Sequence, residues 1–135
     1  MAEDSIDLIR QGVAALNRRD VQGMLATLAS DVRLEPLRAV HDGTAYMGHQ
    51  GLLDWLRDME EDWADQHVEV LDVRALPSGQ LVLEAVLRVR FRATGVEVEA
   101  PGAWLCEFTD DLISRIRFFE DVSSAIEAAG RAGPS

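Results

Sequence analysis

The sequence predicts an α+β fold in which helices pack on one face of a mainly antiparallel sheet. Three observations carry that prediction. Apolar residues recur at three- and four-residue steps as far as Trp63, and at two-residue steps from His67 onward. Turn chemistry punctuates the second half at Pro77-Ser78-Gly79, Thr94-Gly95 and Thr109-Asp110-Asp111. The longest alternating stretch, Leu81 to Arg92, has one wholly apolar side made of Leu81, Leu83, Ala85, Leu87, Val89 and Phe91.

The elements follow in order. Ile6, Ile9, Val13 and Leu16 form the stripe of a first helix, which Asp4 or Ser5 can cap. Asn17-Arg18-Arg19-Asp20 reads as a polar break, and Asp20 suits the cap of a short second helix carrying Val21, Met24, Leu25 and Leu28. Val32 to Pro36 reads as a strand ended by its proline. A looser stretch, Leu37 to Gly48, holds His41, Asp42, Gly43 and Tyr46. A third helix places Leu52, Trp55, Leu56, Met59 and Trp63 on its buried side, with Asp58, Glu60, Glu61, Asp62 and Asp65 as a wet face. Strands are then predicted over His67–Leu76, Leu81–Arg92, Val96–Phe108, with a bend at Pro101-Gly102, and Leu112–Glu120. Asp121 caps a last helix that carries Val122, Ala125, Ile126 and Ala129 and ends at Gly130. Residues 1–130 are read as a single domain and 131–135 as a flexible tail.

Bulk properties exclude several function classes. The chain has 135 residues, 47% of them apolar, enough for one domain with a substantial core. A formal charge of −11 argues against nucleic acid, which needs a concentrated basic surface, and against anionic membranes. One cysteine, Cys106, leaves no intrachain disulfide, and no apolar run reaches bilayer length. A cytoplasmic location is the expectation. His41, His49 and His67 have no metal-ligand spacing, and neither a phosphate loop nor a dinucleotide fingerprint is present, so neither metal nor cofactor is expected.

The long strand leaves two readings open. Its second side carries Val82, Glu84, Val86, Arg88, Arg90 and Arg92. A strand with a dry and a charged side usually turns its charges to water. In the other reading the dry side meets a second subunit and the charges line an internal cavity.

Short motifs along the chain resemble known proteins. Val13-Ala14-Ala15-Leu16-Asn17, Asp20, Gly23 and Leu34-Glu35-Pro36 resemble the opening of bacterial ketosteroid isomerases. Tyr46-Met47-Gly48-His49-Gln50-Gly51, Gly95-Val96-Glu97-Val98, Ile113 through Asp121, and Ala125-Ile126-Glu127-Ala128-Ala129-Gly130 are similar to SnoaL-like, polyketide cyclase-like proteins of the nuclear transport factor 2-like superfamily. This resemblance, spanning Asp4 to Gly130, implies a cone-shaped roll of a curved sheet with helices on its concave face around a hydrophobic pocket. It also implies a homodimer through the outer sheet face.

The resemblance places Glu35 where the isomerase general base is expected. The two oxyanion donors of that enzyme are replaced by Gly12 and Trp104, which argues against steroid isomerisation. The Asp-Arg-Asp set of limonene-epoxide hydrolases is matched by Val86, Arg88 and Phe118, so that chemistry is not expected either. With even-numbered strand residues inward, a pocket would gather Glu84, Arg88, Arg90, Trp104, Ile116, Phe118 and Glu120, with Glu35 from a third side. Glu35 and Arg88 are the candidate catalytic pair, and Tyr46, Trp55, Glu84, Trp104, Phe118 and Glu120 the candidate ligand contacts. Each also has a structural reading: Glu35 paired with Arg33 or Arg88, Glu84 paired with Arg88, and the tryptophans as core.

Two functions follow. The first is a cofactor-independent enzyme or binder for a small apolar, oxygenated ring compound, with proton abstraction next to a carbonyl as the reaction. The alternative is a non-catalytic dimeric ligand-binding or scaffold module whose pocket Trp104 and Phe118 fill.

Overall fold

Ile9, Val13 and Leu16 are buried along one side of the first helix, α1 (Ala2–Arg18). The computed structural model describes residues 2–36 and 45–132. Helix α1 starts before the expected caps and takes in Asn17, and the chain turns only at Arg19, whose φ is 59°. Asp20 caps α2 (Val21–Leu25) as expected, its carboxylate accepting from the Gly23 N–H at 3.0 Å. Asn17 has a task the sequence concealed. Its amide donates to the Val68 carbonyl and accepts from the Val68 N–H, both at 2.9 Å, so α1 satisfies the open side of an edge strand.

Strand β1 (Leu28–Glu35) begins earlier than predicted and precedes β2 (Tyr46–Met47) and α3 (Gly48–Asp62). Trp63 is not on that helix. Its backbone is extended, φ −117° and ψ 124°, and it opens β3 (Trp63–Ala75). Strands β4 (Leu81–Phe91), β5 (Glu97–Thr109) and β6 (Leu112–Phe119) match their predicted positions, and β5 keeps its register with β4 through Pro101-Gly102. Asp121 caps α4 (Val122–Ala132), accepting from the Ser124 N–H at 2.7 Å, and this helix continues past Gly130. His41 lies outside the described residues.

The α+β class holds, but the expected cone-shaped roll does not. The six strands lie in the order β2-β1-β6-β5-β4-β3, so β2 and β3 are unjoined edges of an open sheet. The β1–β6 pair is parallel and every other pair antiparallel. Nor do all helices share a concave face. One cluster packs Ile9, Val13, Leu16, Leu52 and Leu56 of α1 and α3 on Leu81, Leu83 and Ala85. A second, on the reverse face, packs Ala125 and Ala128 of α4 on Val82, Ala103 and Leu105. Alternation in a sequence reports which side of a strand is dry, not whether distant edges meet.

The apolar side of β4 therefore faces the molecule's own helices, and Leu81, Leu83 and Ala85 are at most 3% exposed. The even-numbered side of β4 is the outer one. This reverses the inward assignment of Glu84 and Arg88, and follows the ordinary rule that charges go to water.

Candidate functional site

A cavity of about 370 Å³ opens between α3 and the inner sheet face. Trp55, Asp58, Met59 and Asp62 reach it from α3, at three-, four- and seven-residue spacings that share one helix face. Trp63, Gln66 and Val68 form its side on β3. Small residues make the room: Ala85 lies opposite Gly102, and Leu87 opposite Ala100, across β4 and β5. Trp104 and Phe118, cross-strand neighbours on β5 and β6, close the inner end.

That inner end is an aromatic partition. Trp55 stacks on Phe118 with centroids 5.5 Å apart, and Trp104 meets the same ring edge-on at 5.1 Å. Behind it is a second space of about 50 Å³, lined by Ile9, Val13, Met24, Leu34 and Cys106 among others. The deep end of the fold thus keeps only a small space, and the outer part is open. Cys106 is a packed thiol there, pushed up to about 12 by burial and by the neighbouring Glu107 carboxylate.

The polar groups of the open cavity were mostly hidden in the sequence. The Tyr46 hydroxyl donates to Asp58 Oδ2 at 2.5 Å, and Tyr46 is held by a close approach of β2 to α3. A Cβ at Gly51 would meet the Tyr46 carbonyl carbon at 2.6 Å, so only glycine lets the two segments touch. Gln66 has both amide atoms, Oε1 and Nε2, buried and without a hydrogen-bond partner. Among the described residues the wall carries two carboxylates, Asp58 and Asp62, and no cation.

Of the expected site residues, Tyr46, Trp55, Trp104 and Phe118 converge here. Glu35, Arg88, Glu84 and Glu120 do not. Glu35 lies on the outer face, where Oε2 accepts from Arg115 Nε at 2.5 Å and Arg33 Nε at 2.9 Å. Burial pushes this carboxyl up, but the Arg115 and then the Arg33 guanidinium outweigh burial and hold it below its ordinary value. Arg115 and Arg117 also approach Glu107 at 3.5 Å, which makes a charged cluster on β1, β5 and β6. Arg88 is exposed between Glu99 at 2.8 Å and Glu69 at 2.6 Å, not paired with Glu84. Those two carboxylates, Glu99 first, raise its pKa. Glu84 sits on the same outer face opposite Ala103, and Glu120 is exposed beyond β6.

Asp58, Asp62 and Gln66 were missed for identifiable reasons. The first two sit within an acidic run, yet only they, of that run on α3, share the Trp55 face. Gln66 has the inward parity of Val68 and Val70 on β3, the signal that would have found it. Among the described residues no three metal-ligating side chains come together, and no described helix is long and apolar enough to cross a membrane.

Comparison with known proteins fits this geometry. The profile of the SnoaL-like domain family matches residues 9–116. No relative with a curated description matches the chain. Among solved structures, TerC co-crystallized with polyporic acid is 16% identical, with 92% of this chain and 96% of that one covered at a TM-score of 0.78. An NTF2-like protein of Burkholderia pseudomallei is 20% identical, with 92% and 95% covered at 0.77. A Mycobacterium tuberculosis protein in complex with estradiol-17beta-hemisuccinate is 19% identical, with 89% and 95% covered at 0.74. At such identities the likeness is one of fold.

Proposed function

We propose, from the premise that the chain belongs to the SnoaL-like domain family, that its open cavity binds one apolar, oxygen-bearing ring compound and moves a proton next to its carbonyl. The observation that carries this reading is the Tyr46–Asp58 pair set in the wall of a 370 Å³ apolar cavity. Trp55, Trp104 and Phe118 offer flat apolar surfaces to a ring. Two fold neighbours were crystallised with ring compounds, polyporic acid and an estradiol ester, in keeping with that shape of ligand.

In this reading Asp58 replaces Glu35 as the candidate base, because Glu35 faces away from the cavity. Tyr46 holds the Asp58 carboxylate against the wall. The carboxylate takes a proton from the carbon beside the carbonyl, and the electron pair moves onto the carbonyl oxygen. Trp55, Trp63 and Trp104 line the same cavity, and an indole N–H among them is the candidate neutral donor for that oxygen. Return of the proton to a second carbon completes an isomerisation with no net redox change.

The test has two stages. A thermal-shift screen of steroids, terpenoids, aromatic polyketides and lactones seeks the ligand class. Saturation at a hundred times Kd stabilises by about 2.7 kcal/mol, a midpoint rise of roughly 5–15 °C for a domain of this size. Asp58→Asn should then leave binding within about threefold and lower turnover by about 10²–10⁴-fold. Undiminished turnover would remove Asp58 from the chemistry.

The non-catalytic reading keeps one specific support, the Trp55–Phe118–Trp104 partition, which leaves a space of only about 50 Å³ behind it. Binding without turnover by wild type, across the compounds that bind, would favour it. A homodimer through the outer sheet face is proposed under both readings.

A further inference from the structure

We propose that the ligand of this cavity is a ring compound bearing an apolar tail, and that the tail lies on the β4–β5 hairpin over Val98, Phe91 and Val96. This rests on the cavity being a small-molecule site and adds the part of the ligand that the cavity itself does not hold.

The inward side chains of β5 run in one line. Trp104 stands at the closed end of the cavity, and Gly102 and Ala100 follow as its floor. The same alternation leads on to Val98 and Val96. Val98 pairs in register with Val89 of β4, and the Phe91 N–H donates to the Val96 carbonyl at 2.9 Å. Val98, Val96 and Phe91 therefore share the cavity's side of the sheet, and Ala100 to Val96 spans about 13 Å at the usual strand rise. The charged residues of the hairpin, Arg88, Arg90, Glu97 and Glu99, have the opposite parity and belong to the outer face.

This strip is apolar and wet. Val98 is 41% exposed, Val96 54% and Phe91 36%, and none of them belongs to either core cluster. A single exposed apolar side chain is ordinary, but a row of them continuous with an apolar cavity marks a surface that something apolar covers. The occupant follows from the closed end. The Trp55–Phe118–Trp104 partition stops a ligand there, so a longer one extends away from it, and along β5 that path crosses Ala100 to Val98. The strip's side chains offer neither charge nor hydrogen bonds, and the chemistry that fits them is an alkyl chain. A second copy of the chain fits less well, because three side chains fall far short of the roughly 800 Å² that each partner of a stable complex buries.

The experiment is calorimetric titration with 1-tetralone and its 2-hexyl and 6-hexyl derivatives, which carry the chain at either end of the ring system. Wild type should bind the isomer whose chain leaves the cavity about tenfold or more tightly than 1-tetralone, since methylenes withdrawn from water add affinity. Val96→Ser with Val98→Ser should bind 1-tetralone within about twofold of wild type, as exposed substitutions do, and lose the gain from the chain. Val96→Thr with Val98→Thr keeps the branched shape that strands favour, and repeats the measurement should serine disturb the hairpin. No gain with either isomer in wild type, or a gain that survives both double variants, would overturn the proposal. Light scattering on the same variants tests the other occupant: a dimer lost with the two valines would give the strip to a second copy and overturn the proposal as well. Binding of 1-tetralone separates the two possible failures. If it binds and neither chain adds affinity, the cavity reading stands and the tail proposal falls; if none of the three compounds binds, both fall together.

Discussion

Glu35 shows how a single side chain can carry a catalytic signature and a structural task. Its carboxylate is 15% exposed, bonded to Arg115 and Arg33, and held below its ordinary value of 4.5. A lowered folded-state value means that this group adds stability above its unfolded-state value and that the contribution disappears as pH falls through the lower, folded one. Glu35→Gln should therefore cost about 1 kcal/mol near neutral pH, after discounting for partial exposure. The difference from wild type should shrink below pH 4.5 and vanish in stronger acid. Urea denaturation at several pH values checks this, and a constant difference from pH 7 to pH 3 would contradict the pairing. At this scale the aromatic wall was legible because Trp55, Trp104 and Phe118 are large and fall on apolar periodicities. Asp58 was not, since an acidic residue on a helix is read as wet until a cavity is known to face it.

Among the elements, the paired strands β4 and β5 create the cavity by what they lack. Ala85, Ala100 and Gly102 leave the floor under α3 low, and a Cβ at Gly102 would meet nothing nearer than the Phe119 carbonyl oxygen at 3.6 Å. Gly102 needs no special backbone conformation, so a side chain there is a question of volume. Gly102→Leu should fold and fill the outer cavity, weakening ring-compound binding by about tenfold or more. Circular dichroism melting with ligand titration checks it, and unchanged affinity would place the ligand elsewhere. The alternation of β4 was plain in the sequence, but its sense was not. The same pattern serves a strand buried by its own helices or by a second subunit, and only the apolar stripes of α1 and α3, packed on Leu81, Leu83 and Ala85, decide between them. The α3–β3 junction was similarly hidden, because Trp63 continues the helical spacing of Trp55 and Met59 although its backbone is already extended.

On the scale of the molecule, the α+β class and the helix-then-strand order were readable, whereas the open sheet, the parallel β1–β6 pair and the helix on the reverse face were not. Strand order depends on contacts between distant segments, to which a local period is blind. This matters for assembly. The apolar row that one of the two readings gave to a subunit interface is consumed inside the chain, so of the two sheet faces the reverse one is left for the proposed second copy. There α4 covers one part, over Val82, Ala103 and Leu105. The remainder presents Val86 and Pro101, paired in register, beside the alternating charges of Glu69, Arg88 and Glu99 on three adjacent strands. Such a stripe is complementary to itself when turned by a two-fold axis, since Arg88 of one copy can lie against Glu69 and Glu99 of the other. The expected outcome is a dimer at tens of micromolar in low salt, weakened as salt shortens the Debye length to about 3 Å at 1 M. Arg88→Glu, which sets three carboxylates together on each copy, should be monomeric with its fold intact. Light scattering with circular dichroism decides the matter: a monomeric wild type in low salt would mean that the exchange of charges across the two-fold axis does not outweigh the pairs each copy already makes within itself.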